Sequence, residues 1–180
     1  MTPLILLDVD GPLSPFAAKA PPPGYAEHRI RLSRWRRKPE LRFWLNAGHG
    51  AALLELASAG AELVWATSWE QRANQHIGPV LGLPSLPVIH FTDPRLDWTW
   101  KYPTVARYAG RRPLLWFDDD FDLYPRHRDE FLVAREGVPT ELVRVSPRTG
   151  LTEEHLDFAR EWLTQCVPPV SPGDGPANSG

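Results

Sequence analysis

Four short apolar runs punctuate the chain, at residues 4–7, 62–66, 114–117 and 142–145. Each has the length of a strand, and three give way at once to polar residues. Runs of this kind predict buried strands. A weaker fifth run covers residues 87–91. Helical spacing fills the intervals. Residues 47–59 bring Leu53, Leu56 and Ala57 to one face, with Gly60 as the expected stop. A shorter helix is expected over 70–77, ending at Gly78. Residues 103–109 open on a proline suited to a first helical turn and end at Gly110. Thr152 is placed to cap a helix over 153–165, with Leu156, Ala159 and Leu163 facing inward. Strands alternating with helices predict an α/β fold with a mostly parallel central sheet covered on both faces. Sites in such sheets lie at the carboxyl ends of the strands.

The residues at those ends carry the chemistry. Asp8, Asp10 and Gly11 follow the first strand, Thr67 and Ser68 the second. Asp118, Asp119 and Asp120 follow the strand at 114–117, with Asp122 close behind, and Lys101 precedes the helix leading into it. Crowded carboxylates raise one another's pKa, and a hard divalent cation relieves them. Magnesium suits oxygen ligands, and phosphoryl transfer needs such an ion. Asp8 is the candidate nucleophile, able to form an acyl-phosphate. Asp10 is the candidate general acid and then base, with Gly11 permitting the turn between strand and loop. Thr67, Ser68 and the following backbone N–H groups are candidate phosphate binders. Lys101 offers positive charge to the phosphate and to Asp8. Asp118, with Asp119 or the nearby Asp122 as a second acid, is the candidate set completing a metal site at Asp8. Each signal alone is weak: an Asp-x-Asp pair, a lone Lys or a Thr at a strand end is commonplace. Their order, each after the right kind of element, is specific.

Composition narrows the field without naming a function. The 180 residues suggest one domain over residues 1–166, long enough to bury a full core without disulfides. The single cysteine, Cys166, excludes an intramolecular disulfide and fits a reducing compartment. No stretch reads as a signal peptide or a membrane span, so a cytoplasmic protein with no membrane partner is expected. The tail, VPPVSPGDGPANSG over 167–180, has the composition of a disordered segment. The formal net charge of -2 hides a basic stretch. Residues 19–42 hold eight bases (Lys19, Arg29, Arg31, Arg34, Arg36, Arg37, Lys38 and Arg42) against Glu27 and Glu40. That stretch points to a polyanionic partner; a solvated charged insertion is the equal alternative. The histidines show no zinc-like spacing.

The motifs resemble those of the haloacid dehalogenase (HAD) superfamily. LLDVDG at 6–11 matches its first motif and LVWATS at 63–68 its second. Lys101 matches the third and LLWFDDD at 114–120 the fourth. The resemblance implies a Rossmann-like three-layer sandwich, magnesium, a phospho-aspartate at Asp8, and a metal contact from the backbone carbonyl of Asp10. DVDGPLSPF, WATSWE and WFDDD are also similar to a HAD branch associated with Swiss Army Knife RNA repair proteins.

Members of the superfamily often carry a cap over the site. Here residues 12–46 have room only for a small flap, expected as a hairpin of 25–32 with 41–45. An open site admits bulky substrates such as nucleic-acid ends, and arginines interleaved with Trp35 and Trp44 in the 29–42 stretch resemble a base-stacking surface. Phe43 and Trp44 are equally suited to packing the flap on the core. Trp65 and Trp116 are expected in the core, and Trp69, Trp98 and Trp100 near the site. The sequence thus predicts a magnesium-dependent phosphomonoester hydrolase for a phosphorylated substrate, nucleotide or nucleic-acid ends included. The alternatives are a non-catalytic HAD-like module binding RNA or protein, and a phosphoacceptor regulator.

Overall fold

The computed structural model describes residues 1–31, 40–91 and 101–166. The tail at 167–180, the centre of the basic stretch, and Trp98 and Trp100 lie outside these residues. The strands are β1 (Leu4–Leu7), β2 (Ala26–Ile30), β3 (Leu41–Leu45), β4 (Glu62–Trp65), β5 (Leu114–Asp118) and β6 (Thr140–Arg144). The helices are α1 (Gly48–Ser58), α2 (Gly78–Leu81), α3 (Lys101–Ala109), α4 (Pro125–Ala134) and α5 (Glu153–Cys166).

Four strands form one parallel sheet in the order β4-β1-β5-β6. The alternation of side chains along a strand divides its residues between two cores. Ile5, Leu7, Leu63, Trp65, Leu115 and Phe117 pack with Leu53 and Leu56 of α1 and Ala159 and Leu163 of α5. Leu4, Leu6, Val64, Leu114 and Trp116 pack with Tyr102 and Val105 of α3 and Phe131 of α4. Both faces are covered, which is why β1 reads as an unbroken apolar run, and its four residues are fully buried. The result is the α/β three-layer arrangement expected, with Trp65 and Trp116 in the core. Among the described residues no helix is long and apolar enough to cross a membrane.

Two local expectations are corrected. The run at 87–91 forms only an isolated bridge, Val88 to Trp65, where the Trp65 N–H donates to the Pro87 carbonyl and the Ile89 N–H to the Trp65 carbonyl. Pro87 removes the next donor a longer ladder would use. Gly78 does not stop its helix. It continues helical at φ -51 from a π-turn at Ala73–Ile77, and the stop falls at Gly82, left-handed at φ 69. The Thr152 hydroxyl meets Nδ1 of His155 at 2.8 Å. Helix α4, without a sequence-level counterpart, buries only Phe131.

The hairpin of β2 and β3 is antiparallel and separate from the main sheet. It rests on the body through Phe43, Trp44 and Leu45, all buried.

α1 crosses the end of α2 at Gly50, where an added Cβ would overlap the Leu81 carbonyl oxygen. Alanine gains about 1 kcal/mol over glycine in a helix interior. Overpacking against a fixed backbone carbonyl costs about 3 kcal/mol. The clash wins, so Gly50→Ala should lower stability by roughly 2 kcal/mol, read from the denaturant midpoint. A more stable variant would show that α1 and α2 do not meet there.

Candidate active site

The parallel sheet brings the residues after β1, β4 and β5 to one edge, with β1 in the middle. The ladder runs one residue past β1: the Asp8 N–H donates to the Phe117 carbonyl at 3.1 Å. Asp8 Oδ1 accepts the Val9 N–H at 2.7 Å, which fixes the carboxylate. β5 ends on Asp118, whose Oδ1 accepts the Asp120 N–H at 3.0 Å. Lys101 of α3 lies between them, its Nζ 2.6 Å from Asp8 Oδ2 and 2.6 Å from Asp118 Oδ2. All three side chains are buried, Asp118 to within 1 %. Charges so far from water persist only when paired and hydrogen-bonded.

The electrostatics follow from this crowding. Burial disfavours the Lys101 ammonium, but Asp118 and Asp8 outweigh it and hold the amine firmly protonated. Burial pushes the Asp118 carboxyl up to about 7, against the pull of Lys101 and with Asp8 adding to the rise. Burial, Asp120 and Asp8 push Asp119 up to about 7. Asp10 is raised by burial and by Asp8, with the Trp69 hydrogen bond opposing.

Asp8, Asp118 and Asp119 each bring a carboxylate oxygen within 4.8 Å of the others. An all-oxygen set of crowded carboxylates suits a hard cation such as magnesium. Gly11 makes this approach possible. At φ +90 it takes a conformation that disfavours other residues, and a Cβ there would stand 2.5 Å from Asp119 Cγ. Asp122 is elsewhere: its carboxylate meets Arg128 at 3.1 Å and Arg144 at 2.8 Å.

Thr67 is fully buried after β4, and its Oγ1 accepts the Trp69 N–H at 3.3 Å. Ser68 is exposed, and its carbonyl accepts from Arg72 Nη2 at 3.5 Å. Asp10 points to Trp69, whose Nε1 donates to Asp10 Oδ2 at 3.0 Å. Sequence reading placed Trp69 near the site without giving it a partner, because 59 residues separate the two. Trp69→Phe keeps the ring and deletes this donor. We expect about a 10-fold fall in turnover with the fold intact, read by steady-state kinetics beside a thermal melt. Unchanged turnover would show that Asp10 needs no such restraint.

The described arginines of the hairpin are largely matched. Arg29 pairs with Glu27 at 2.7 Å, Arg31 with Glu40 at 2.9 Å, and Arg42 with Glu27 at 3.7 Å. Arg34, Trp35, Arg36, Arg37 and Lys38 lie outside the described residues.

Two solved structures resemble the chain. One is described as a HAD superfamily (subfamily III A) hydrolase from Legionella pneumophila, at 18% identity and TM-score 0.48, covering 92% of this chain and 85% of that one. The other is described as a 3-deoxy-D-manno-octulosonate 8-phosphate phosphatase from Vibrio cholerae, at 14% identity and TM-score 0.43, covering 92% and 84%. No curated protein matches the sequence. The profile of the HAD domain in Swiss Army Knife RNA repair proteins matches residues 4–156, from β1 into α5. The chain belongs to this family of HAD domains.

Proposed function

We propose that the chain is a magnesium-dependent phosphomonoester hydrolase working through a phospho-aspartate at Asp8, with nucleotide or nucleic-acid phosphate ends as substrates. The observation that carries this reading is the Lys101 ammonium held at 2.6 Å from both Asp8 and Asp118, at the ends of adjacent parallel strands. A structural ion pair has no need of two buried carboxylates with a third alongside. A phosphoryl group does: it requires a nucleophile, a fixed cation and a metal site in one place.

Asp8 Oδ attacks phosphorus, and the bond from phosphorus to the leaving alcohol oxygen breaks. Asp10, its carboxyl raised by burial and by Asp8, gives that oxygen its proton. Asp10 then takes a proton from water, which attacks the acyl-phosphate, frees inorganic phosphate and restores Asp8. Lys101 balances the charge on the phosphoryl oxygens, and Thr67 and its following backbone N–H groups bind them. Magnesium, held by Asp8, Asp118, Asp119 and the Asp10 carbonyl, supplies Lewis-acid charge neutralisation when bound.

The test is phosphate release from a panel of phosphomonoesters, 3′- and 5′-phosphorylated oligonucleotides among them, with magnesium and with chelator. Release that needs magnesium supports the reading; none from any substrate overturns it.

Metal binding has a second readout. Asp118 and Asp119 have folded-state pKa values raised to about 7. Raised acids favour the folded state while protonated. Their contribution is present below the unfolded value of about 4 and lost as pH rises through about 7. A bound cation replaces those protons. Magnesium should therefore raise the melting temperature more at about pH 8 than at about pH 5. An equal shift at both would argue against a carboxylate site.

A further inference from the structure

Asp10 opens into a cleft of about 230 Å³ between the loop after β1 and the hairpin. Phe16 and Lys19 line it from the loop, Arg42 and Phe43 from β3, and Trp69 from beyond β4. None belongs to the four HAD motifs, though Phe16 closes DVDGPLSPF and Trp69 lies in WATSWE. If Asp10 protonates the leaving oxygen, the leaving group must occupy the space beside it, and this cleft is that space. The inference rests on the phosphatase reading at that point.

The walls state what fits. Phe43 and Trp69 meet edge to face at 5.6 Å and are nearly buried, so they form a fixed back wall. Phe16 is 60% exposed, the most exposed aromatic among the described residues. Leu41, also on the cleft, is 39% exposed. Phe16 and Leu41 together leave apolar surface open on the same cleft, where a ligand would cover it. The volume falls below the range of about 300–1,000 Å³ typical of sites that enclose a whole drug-sized ligand. It suits one flat ring, with the rest of the molecule crossing the rim. Lys19 and Arg42 stand on the rim, and Arg42 holds Glu27 only loosely at 3.7 Å.

We infer that this cleft is the leaving-group subsite, selecting phosphomonoesters whose alcohol carries a flat aromatic base and, beyond it, a second anionic group. Phe16 stacks on the base, and Lys19 and Arg42 meet the second anion. Phe16, Lys19 and Arg42 are thus specificity-determining residues outside the four catalytic motifs.

The binding test uses the full chain carrying Asp8→Asn, with magnesium, and calorimetric titration of 3′- and 5′-phosphorylated dinucleotides. Matched compounds lack the base next to the terminal phosphate. The base-bearing compound should bind about 10-fold more tightly. Adding Phe16→Ala should erase the difference, and Phe16→Tyr should keep it. Lys19→Glu with Arg42→Glu should flatten the salt dependence for dinucleotides relative to mononucleotides. Equal binding of base-bearing and baseless compounds, or a preference that survives Phe16→Ala, would overturn the inference.

The kinetic test uses chains with native Asp8, comparing kcat/KM for a dinucleotide with that for glycerol phosphate. Phe16→Ala should lower this ratio about 10-fold. Hydrolysis with an unchanged ratio sinks the subsite and leaves the phosphatase reading standing. A wild-type chain that hydrolyses nothing sinks the phosphatase reading, while the titrations still decide the subsite.

Discussion

Asp8→Asn is expected to lower magnesium-dependent phosphate release by about 10⁴-fold or more, with the protein still folded. The carboxamide has the shape of the carboxylate but no charge and almost no nucleophilicity. Its oxygen can still accept the Val9 N–H, a contact of 2.7 Å in the native chain. Lys101 retains Asp118 at 2.6 Å, so no buried ammonium is left without a counter-charge. The loss should therefore appear in kcat and leave the melting temperature within a few degrees. Single-turnover reaction with labelled substrate should mark the native chain through an acyl-phosphate and fail to mark the variant. A variant within 10-fold of the native rate would remove Asp8 from the chemistry.

Lys101→Met should cost both stability and activity. Methionine fills much of the volume but leaves Asp8 and Asp118 facing each other in a nearly dry site, 5% and 1% exposed. Breaking a buried ion pair by removing one partner costs about 3–5 kcal/mol. Two carboxylates without their shared cation place this case at the upper end. Protonation relieves the repulsion, and losing Lys101 raises the Asp118 carboxyl further, so the penalty should shrink as pH falls below about 8. Magnesium should restore part of the stability at about pH 8, because it supplies the missing positive charge. Activity should stay depressed about 10²–10³-fold even then, because the fixed charge against the phosphoryl oxygens is gone. Denaturant midpoints across pH, with and without magnesium, measure the first part. A penalty under about 1 kcal/mol at about pH 9 would mean the ammonium is not what holds the carboxylates together.

The sheet was legible because its strands are buried on both faces. Leu4–Leu7 and Leu114–Asp118 carry apolar side chains toward two cores, so the runs stand out without periodicity. Parallel pairing then carries Asp8, Thr67 and Asp118 to one edge, which is why motif order alone could group them. Helix α4 was not legible, because PRHRDEFLVA buries a single side chain and shows no apolar stripe. The stop at Gly78 misled because glycine marks permission for a left-handed residue, not its use, and a π-turn carries the chain through. The division of labour between Asp119 and Asp122 depends on Arg128 and Arg144, which come from α4 and β6. No spacing rule reports such a pairing. The bond from Trp69 to Asp10 is of the same kind.

The strand order has a consequence for synthesis. β1 is made first, yet its two neighbours in the sheet, β4 and β5, are separated from it by much of the chain. Pairings between segments so distant in sequence form late, because loop closure precedes any gain from contact. A chain emerging from the ribosome therefore carries Asp8 long before Lys101, Asp118 and Asp119 exist beside it. Until β4 and then β5 are released, Leu4–Leu7 lacks the strands that pair with it on its two sides. The cluster of Asp8, Lys101 and Asp118 is complete only when the last of these distant strands docks.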